Sequence, residues 1–208
     1  MTSPKAGSFS AINKMSEFSD LILGSGSPRR RDLLAQIGVT PAAIISADID
    51  ETPHKNEKPR LYVQRMAREK NLRLIEQLKT GQCLLTADTT VAVGRRILGK
   101  ASDKEHARSM MKVHSGRSHQ VMTAIALSTP DGRMIERLSL NRVKMKRLSH
   151  DDIERFIETE EWRDCAGGYK IQGYAAGFIQ KIIGSHSAIM GLPLYETRQI
   201  LNGIGYQV

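Results

Sequence analysis

Leu21-Ile22-Leu23-Gly24-Ser25-Gly26-Ser27-Pro28-Arg29-Arg30 is the stretch on which the fold turns. Its three apolar residues read as a short strand, Gly24-Ser25-Gly26 as a turn, and Ser27-Pro28 as an N-cap followed by proline at the first helical position. Small residues between a strand and a helix start let backbone amides crowd an anion. The helix N-terminus adds unpaired N–H groups and partial positive charge. Arg29 and Arg30 in the first turn oppose the helix dipole, a local cost that a bound anion would offset. The alternative is an ordinary capped helix with solvated arginines. The lysine pattern of a Walker A loop is absent.

Outward from this unit, strand-like and helix-like stretches alternate. Leu33, Leu34 and Ile37 give the first helix an apolar face that Gly38 ends. Residues 43–47 read as a second strand, running into the acidic loop Asp48-Ile49-Asp50-Glu51. A helix is predicted from Pro59 to Leu78, with Val63, Met66, Ala67, Leu74 and Leu78 as its stripe. Cys83 to Val93 reads as a buried strand turning near Gly94, followed by a helix capped by Ser102 with Glu105. Strands at 119–128 and 134–148 flank the turn Pro130-Asp131-Gly132, and Ser149 with Asp152 caps a short helix. A glycine-rich stretch, 166–177, precedes a strand through Ile183, and Pro193 opens a last helix ending near Gly203. Hairpins among strand–helix units predict an α/β fold with a mixed twisted sheet flanked by helices. The expected organisation is a flexible polar leader over 1–20 and a single domain over 21–208.

The 208 residues carry 31 Lys and Arg against 22 Asp and Glu, a formal net charge of +9. Aromatic residues are 5% and the basic ones are dispersed, apart from Arg29-Arg30-Arg31 and 142–147, so a nucleic-acid surface is poorly supplied. A pocket for a small polyanion explains the charge better. No apolar run approaches the roughly 20 residues of a membrane span. The opening MTSPKAGSFSAINKMSEFSD lacks the apolar core of a secretory signal. Two cysteines, Cys83 and Cys165, without ligand spacing suit a reducing, cytoplasmic compartment.

Asp88 interrupts the apolar or small run Leu84-Leu85-Thr86-Ala87-Asp88-Thr89-Thr90-Val91. A carboxylate inside a buried strand is costly unless paired, hydrogen-bonded or on a metal. It reads either as a strand-end cap or, with Glu51, as a hard-oxygen site for a divalent ion. Lys70 falls on the apolar stripe of its helix, four after Met66 and four before Leu74. It either snorkels to the edge or points at an anion. Lys100 alone reads as a loop lysine. Ala166-Gly167-Gly168-Tyr169-Lys170-Ile171-Gln172-Gly173 is either a plain loop or backbone approaching a ligand, with Gln172 able to read a base edge. His114, His119 and His186 lack zinc spacing and read as structural, and no GxSxG elbow is present.

In order, SGSPRR at 25–30, Asp50-Glu51, AREK at 67–70, ADTTV at 87–91, GK at 99–100, SGRSHQVMTAIAL at 115–127, GGYKIQG at 167–173 and GLPLYET at 191–197 resemble the Maf family of nucleoside triphosphate pyrophosphatases. The likeness spans about residues 21–205. It implies an elongated, two-lobed Maf/ITPase-like fold with a cleft between the lobes, a homodimer, and hydrolysis of a nucleoside triphosphate to monophosphate and pyrophosphate. Members are also associated with restraint of septum formation. By the same resemblance Asp88 matches the catalytic acidic residue. Arg29, Thr89 and Gln172 match positions of substrate choice in the dTTP/UTP subgroup, and Ser27, Arg30, Glu51, Lys70 and Lys100 match the polar set handling phosphate and metal. Thr89 and the tyrosine-to-IQG pattern favour dTTP/UTP over the m7GTP subgroup. Cys165 departs from the family, which usually carries lysine there, and Lys170 lies five residues on.

The expected mechanism uses Mg²⁺ or Mn²⁺ at Glu51 and Asp88. Arg30, Lys70 and Lys100 surround the phosphates, with N–H donors from Ser25 to Ser27. Asp88 activates water or holds the metal. The rivals are a nucleotide sensor without turnover and a nucleic-acid binder with salt-dependent affinity.

Overall fold

The computed structural model describes residues 20–206 and 208; the leader expected over 1–20 falls, but for Asp20, outside them. Seven strands form one sheet in the order β2-β1-β3-β5-β6-β7, with the short β4 also paired to β3. These are β1 (Asp20–Gly24), β2 (Ala43–Ile45), β3 (Gln82–Val93), β4 (Arg96–Leu98), β5 (Ser118–Ser128), β6 (Met134–Met145) and β7 (Ile179–Ile183). β1 runs parallel to β2 and β3, and every other pairing is antiparallel. The helices are α1 (Pro28–Gln36), α2 (Pro59–Leu74), α3 (Lys104–His114), α4 (His150–Glu158), α5 (His186–Met190) and α6 (Leu194–Gly203). The mixed α/β reading therefore holds.

Side-chain alternation along β3 sorts the molecule into layers. Cys83, Leu85 and Ala87 face one way, into a core with Leu21, Leu23, Leu33, Leu34, Ile125, Leu127, Ile200 and Leu201. Val91 faces the same side but enters a second core with Val121, Val143, Phe156, Ile157 and Trp162. The opposite face is covered by α2, whose Val63 and Ala67 meet Ala92, Met122 and Ala124, while Leu74 meets Ile22 and Leu84. Two cores separated along one set of long strands are the two lobes.

The gap between the lobes follows from pairing. β1 ends at Gly24, opposite Thr86, and β4 begins to pair only at Val91. Residues 87–90 of β3 therefore have a free edge, and the cleft opens there. Gly24 is required by packing: a Cβ would stand 2.5 Å from Thr86 Cγ2. α2 is fixed to the sheet by Asn71, which donates to the carbonyls of Leu84 (3.1 Å) and Ala126 (3.0 Å), and by Thr86, which donates to Ala67 O at 2.8 Å.

Several local expectations need correction. The N-cap of α3 is Asp103, whose carboxylate accepts from His106 N at 2.8 Å; Ser102 instead hydrogen-bonds to Asp103. An ionised carboxylate next to the helix start is the stronger acceptor. The long helix stops at Leu74 and continues only as a 3-10 turn, Ile75–Gln77. α5 was not anticipated. Among the described residues, no helix is long and apolar enough to cross a membrane.

Candidate active site

All ten residues singled out as catalytic, substrate-binding or metal-binding line one cavity of about 560 Å³ at the free edge of β3: Ser25, Ser27, Arg29, Arg30, Glu51, Lys70, Asp88, Thr89, Lys100 and Gln172. They come from the β1–α1 turn, the first turn of α1, the acidic loop, α2, β3, the loop after β4 and the glycine-rich segment.

The ambiguity over Lys70 is resolved by packing. Its helix presents Tyr62, Met66 and Lys70 at four-residue intervals toward the sheet, and Asp88 lies on the face of β3 that α2 covers. Lys70 Nζ meets Asp88 Oδ1 and Glu51 Oε1, each at 2.7 Å. The Lys70 and Asp88 side chains are 13% and 12% exposed, whereas that of Glu51 is 52% exposed. Burial tends to raise the Glu51 carboxyl, but the hydrogen bond and charge of Lys70 prevail and hold it below its ordinary range. Thr90 Oγ1 approaches the other Asp88 oxygen at 3.5 Å.

Glu51 is carried by a loop without regular structure, so other groups must hold it. Tyr62 donates its hydroxyl to Glu51 O at 2.8 Å. Arg65 donates to Thr52 O at 3.1 Å and makes a two-pronged bond to Glu57, both at 2.8 Å. Tyr62 and Arg65 were missed by sequence reasoning, although Tyr62 shares the spacing that marked Lys70.

The turn expected to cradle an anion has a hydrogen-bond pattern of its own. Ser27 is the N-cap of α1 and Pro28 its first residue, but the Ser27 side chain makes no capping bond. Ser25 Oγ accepts from Arg30 Nη1 at 2.7 Å and from Ser27 N at 3.3 Å. Its own proton is thereby free to donate into the cavity. Arg30 Nε donates to Gly191 O at 2.9 Å, which ties the guanidinium to the turn between α5 and α6. Burial lowers the Arg30 pKa, with Asp88 opposing that shift. Among the described residues no carboxylate forms an ion pair with it.

Lys100 is 63% exposed and stands 4.0 Å from Asp164 at the cleft's rim, apart from the Lys70 ion pair. Gln172 is exposed in the loop after a tight segment, Ala166–Gly168. Gly167 has φ +72, and a Cβ there would meet Val91 Cγ1 at 2.8 Å; only glycine lets this backbone lie against β3. His114 Nε2 bonds Gly167 O at 2.9 Å and His119 Nε2 bonds the Tyr169 hydroxyl at 2.7 Å. These histidines, read as structural, hold the glycine segment from below. Cys165 lines the cleft but is 3% exposed, and burial raises its thiol pKa. It contributes no charge where Lys170, also lining the cleft, does.

Five cations and three carboxylates line the cavity: Arg29, Arg30, Lys70, Lys100 and Lys170 against Glu51, Asp88 and Asp164. The net charge of +2 suits an anion. Among the described residues no three His, Cys, Asp or Glu side chains converge as a metal cage. Two carboxylates, Glu51 and Asp88, share the one ammonium of Lys70.

A family model described as "Maf-like protein" matches residues 20–204. A dTTP/UTP pyrophosphatase of Rhodospirillum rubrum is 51% identical over 187 residues, covering 90% of this chain and 89% of its own length. Another, of Zymomonas mobilis subsp. mobilis, is 50% identical over 191 residues, covering 91% and 94%. Among solved structures, a HAM1 protein from Coxiella burnetii is similar over 88% of this chain and 98% of its own, at 14% identity and a TM-score of 0.47.

Proposed function

This chain belongs to the Maf family, and on that premise we propose that its cleft hydrolyses dTTP and UTP to the monophosphate and pyrophosphate. The observation that carries the reading is Lys70 held between Glu51 and Asp88 at 2.7 Å, facing the Ser25–Arg30 cradle in one cavity.

A triphosphate brings about four negative charges at neutral pH, against a cavity of +2. A divalent cation closes that difference, and the two-carboxylate set fits one. Glu51 and Asp88 are the residues that would hold Mg²⁺ or Mn²⁺, which when bound neutralises charge on the triphosphate oxygens. Arg30 and the Ser25 hydroxyl donate to the phosphates, with backbone N–H groups at the start of α1. Lys70 balances charge on the leaving pyrophosphate. Asp88 orients a water and takes its proton as the water oxygen bonds to the α-phosphorus; the bridging oxygen departs with pyrophosphate. Lys100 closes the rim over the phosphates, and Arg29, Thr89 and Gln172 face the nucleoside.

The same proposal takes residues 21–208 as one domain, supported by the single sheet. It places the protein in the cytoplasm, supported by two free cysteines. It includes a homodimer, supported by Leu140 and Ile183, each 55% exposed on adjoining strands; sedimentation tests that part.

The catalytic part is tested by Asp88→Asn. Pyrophosphate release should fall by about 10²- to 10⁴-fold, with the protein still folded because Glu51 continues to pair Lys70. Turnover at the parental rate would remove Asp88 from the chemistry.

A further inference from the structure

Along β3, Thr89 stands at the floor of the gap between the two cores, on the face opposite Asp88. Its register partner on β5 is Thr123. Thr123 Oγ1 lies 2.7 Å from Ala188 O and 3.0 Å from Thr89 Oγ1. A carbonyl oxygen only accepts, so Thr123 spends its single hydroxyl proton on Ala188. Thr89 must then donate to Thr123, and its proton points away from the cleft. Thr123 is fully buried and does not line the cavity, whereas Thr89 is partly exposed and does. The Thr89 hydroxyl makes no other hydrogen bond among the described residues, so toward the cleft its oxygen shows lone pairs alone.

We infer that Thr123 is a specificity-positioning residue: by fixing the Thr89 hydroxyl as an acceptor, it makes the cleft select a nucleoside that offers a hydrogen-bond donor there. The inference rests on the nucleotide reading of this site. An ionised triphosphate has no proton to give, so Thr89 faces the nucleoside rather than the phosphates. Two donors are common to dTTP and UTP: the N3–H of the pyrimidine-dione ring and the sugar 3′-hydroxyl. Cytosine presents a lone pair at N3 and would face the Thr89 lone pairs unpaired, the type of mismatch that discriminates strongly in a dry site. A merely structural threonine pair would satisfy two hydroxyls and leave substrate ratios untouched.

The test compares the wild-type protein, Thr123→Val and Thr123→Ser on two substrate pairs. UTP against CTP reads the base, and dTTP against 2′,3′-dideoxy-TTP reads the sugar. Each pair is measured as a ratio of kcat/KM and, separately, as a ratio of Kd. Valine keeps the shape of threonine and removes the acceptor, so the Thr89 proton is free to turn into the cleft. One of the two ratios should fall by at least about tenfold, and serine should retain the wild-type value. The ratio that falls identifies the donor. Unchanged ratios in Thr123→Val, or an equal fall in Thr123→Ser, overturn the inference. Should Thr123→Val not fold, Thr89→Val removes the acceptor itself and must lower the same ratio; an unchanged ratio there overturns it as well. Absence of pyrophosphate from every triphosphate would sink the proposed function, while the Kd ratios would still decide this point.

Discussion

Lys70 shows how one buried charge organises a site. Its ammonium lies among the side chains of α2 that pack on the sheet, where an unpaired charge would be untenable. Asp88 and Glu51 each contact it at 2.7 Å. Removing one partner of a buried pair leaves the other uncompensated, which costs about 3–5 kcal/mol, whereas removing both costs far less. Lys70→Met should therefore destabilise the fold by that order in urea titration, and the double variant Lys70→Met/Asp88→Asn should recover most of it. Equal loss in the single and double variants would show that packing of the lysine stem is what matters. Gly24 offers a second residue-scale prediction. A methyl group there would overlap Thr86 Cγ2, with Leu74 Cδ1 at 3.0 Å. Gly24→Ala should cost about 1–3 kcal/mol and also weaken triphosphate binding, because the cradle begins at the next residue. Parental stability would place slack in this core where the packing shows none.

At the scale of elements, the acidic loop is the part least explained by its own sequence. Residues 46–58 contain no strand or helix, yet Glu51 must be held beside Lys70. The strap is electrostatic: Arg65 joins Glu57, Glu69 and the carbonyl of Thr52. The hydrogen bond from Arg65 holds the Glu57 carboxyl down at about 2. Arg65→Met should speed amide exchange across 50–57 by at least about tenfold, leaving the sheet-facing turns of α2 protected. It should also raise the metal concentration needed for half-maximal rate. Unchanged exchange would assign the loop's order to Tyr62 alone.

For the molecule as a whole, the buried histidines contribute to acid sensitivity. The His114 and His119 rings lie 4.3 Å apart between centroids, tilted by 51°, under the glycine segment, and each has an Nδ1 with no partner among the described residues. Burial, and for His119 the neighbouring His114, disfavours the charged rings; His119 is pushed down to about 3. The sign follows from proton counts. Above pH about 6.5 both states are neutral at these rings and stability is level. As pH falls below that, the unfolded chain takes up protons that the folded one refuses, so stability declines until pH about 3. One refused proton gives a slope of about 1.4 kcal/mol per pH unit. His119→Gln, whose amide can still hydrogen-bond the Tyr169 hydroxyl, should flatten that decline in urea midpoints between pH 6.5 and 4. An unaltered slope would move the acid sensitivity elsewhere.

The sequence by itself determined the local units and the identity of the chemistry-bearing residues. Ser27-Pro28 marks a helix start because proline tolerates only certain positions. Asp88 and Lys70 stand out because charges on apolar stripes violate periodicity. Glycines at 167 and 168 stand out because clustered glycine signals close backbone approach. These are short-range signals, and the family resemblance ordered them. Tertiary structure alone decided what long-range geometry controls. It showed that Lys70 points at Asp88, that β1 and β4 leave β3 unpaired at 87–90, and that Arg65 straps the loop. It also showed that Thr123 turns the Thr89 hydroxyl away from the cleft. Each depends on strand register or on contacts between residues far apart in the chain, and a hydrogen bond's direction depends on every partner at once. The stretch 21–30 announced a strand, a turn and a helix start; the unpaired edge beside it made that turn one wall of a cleft.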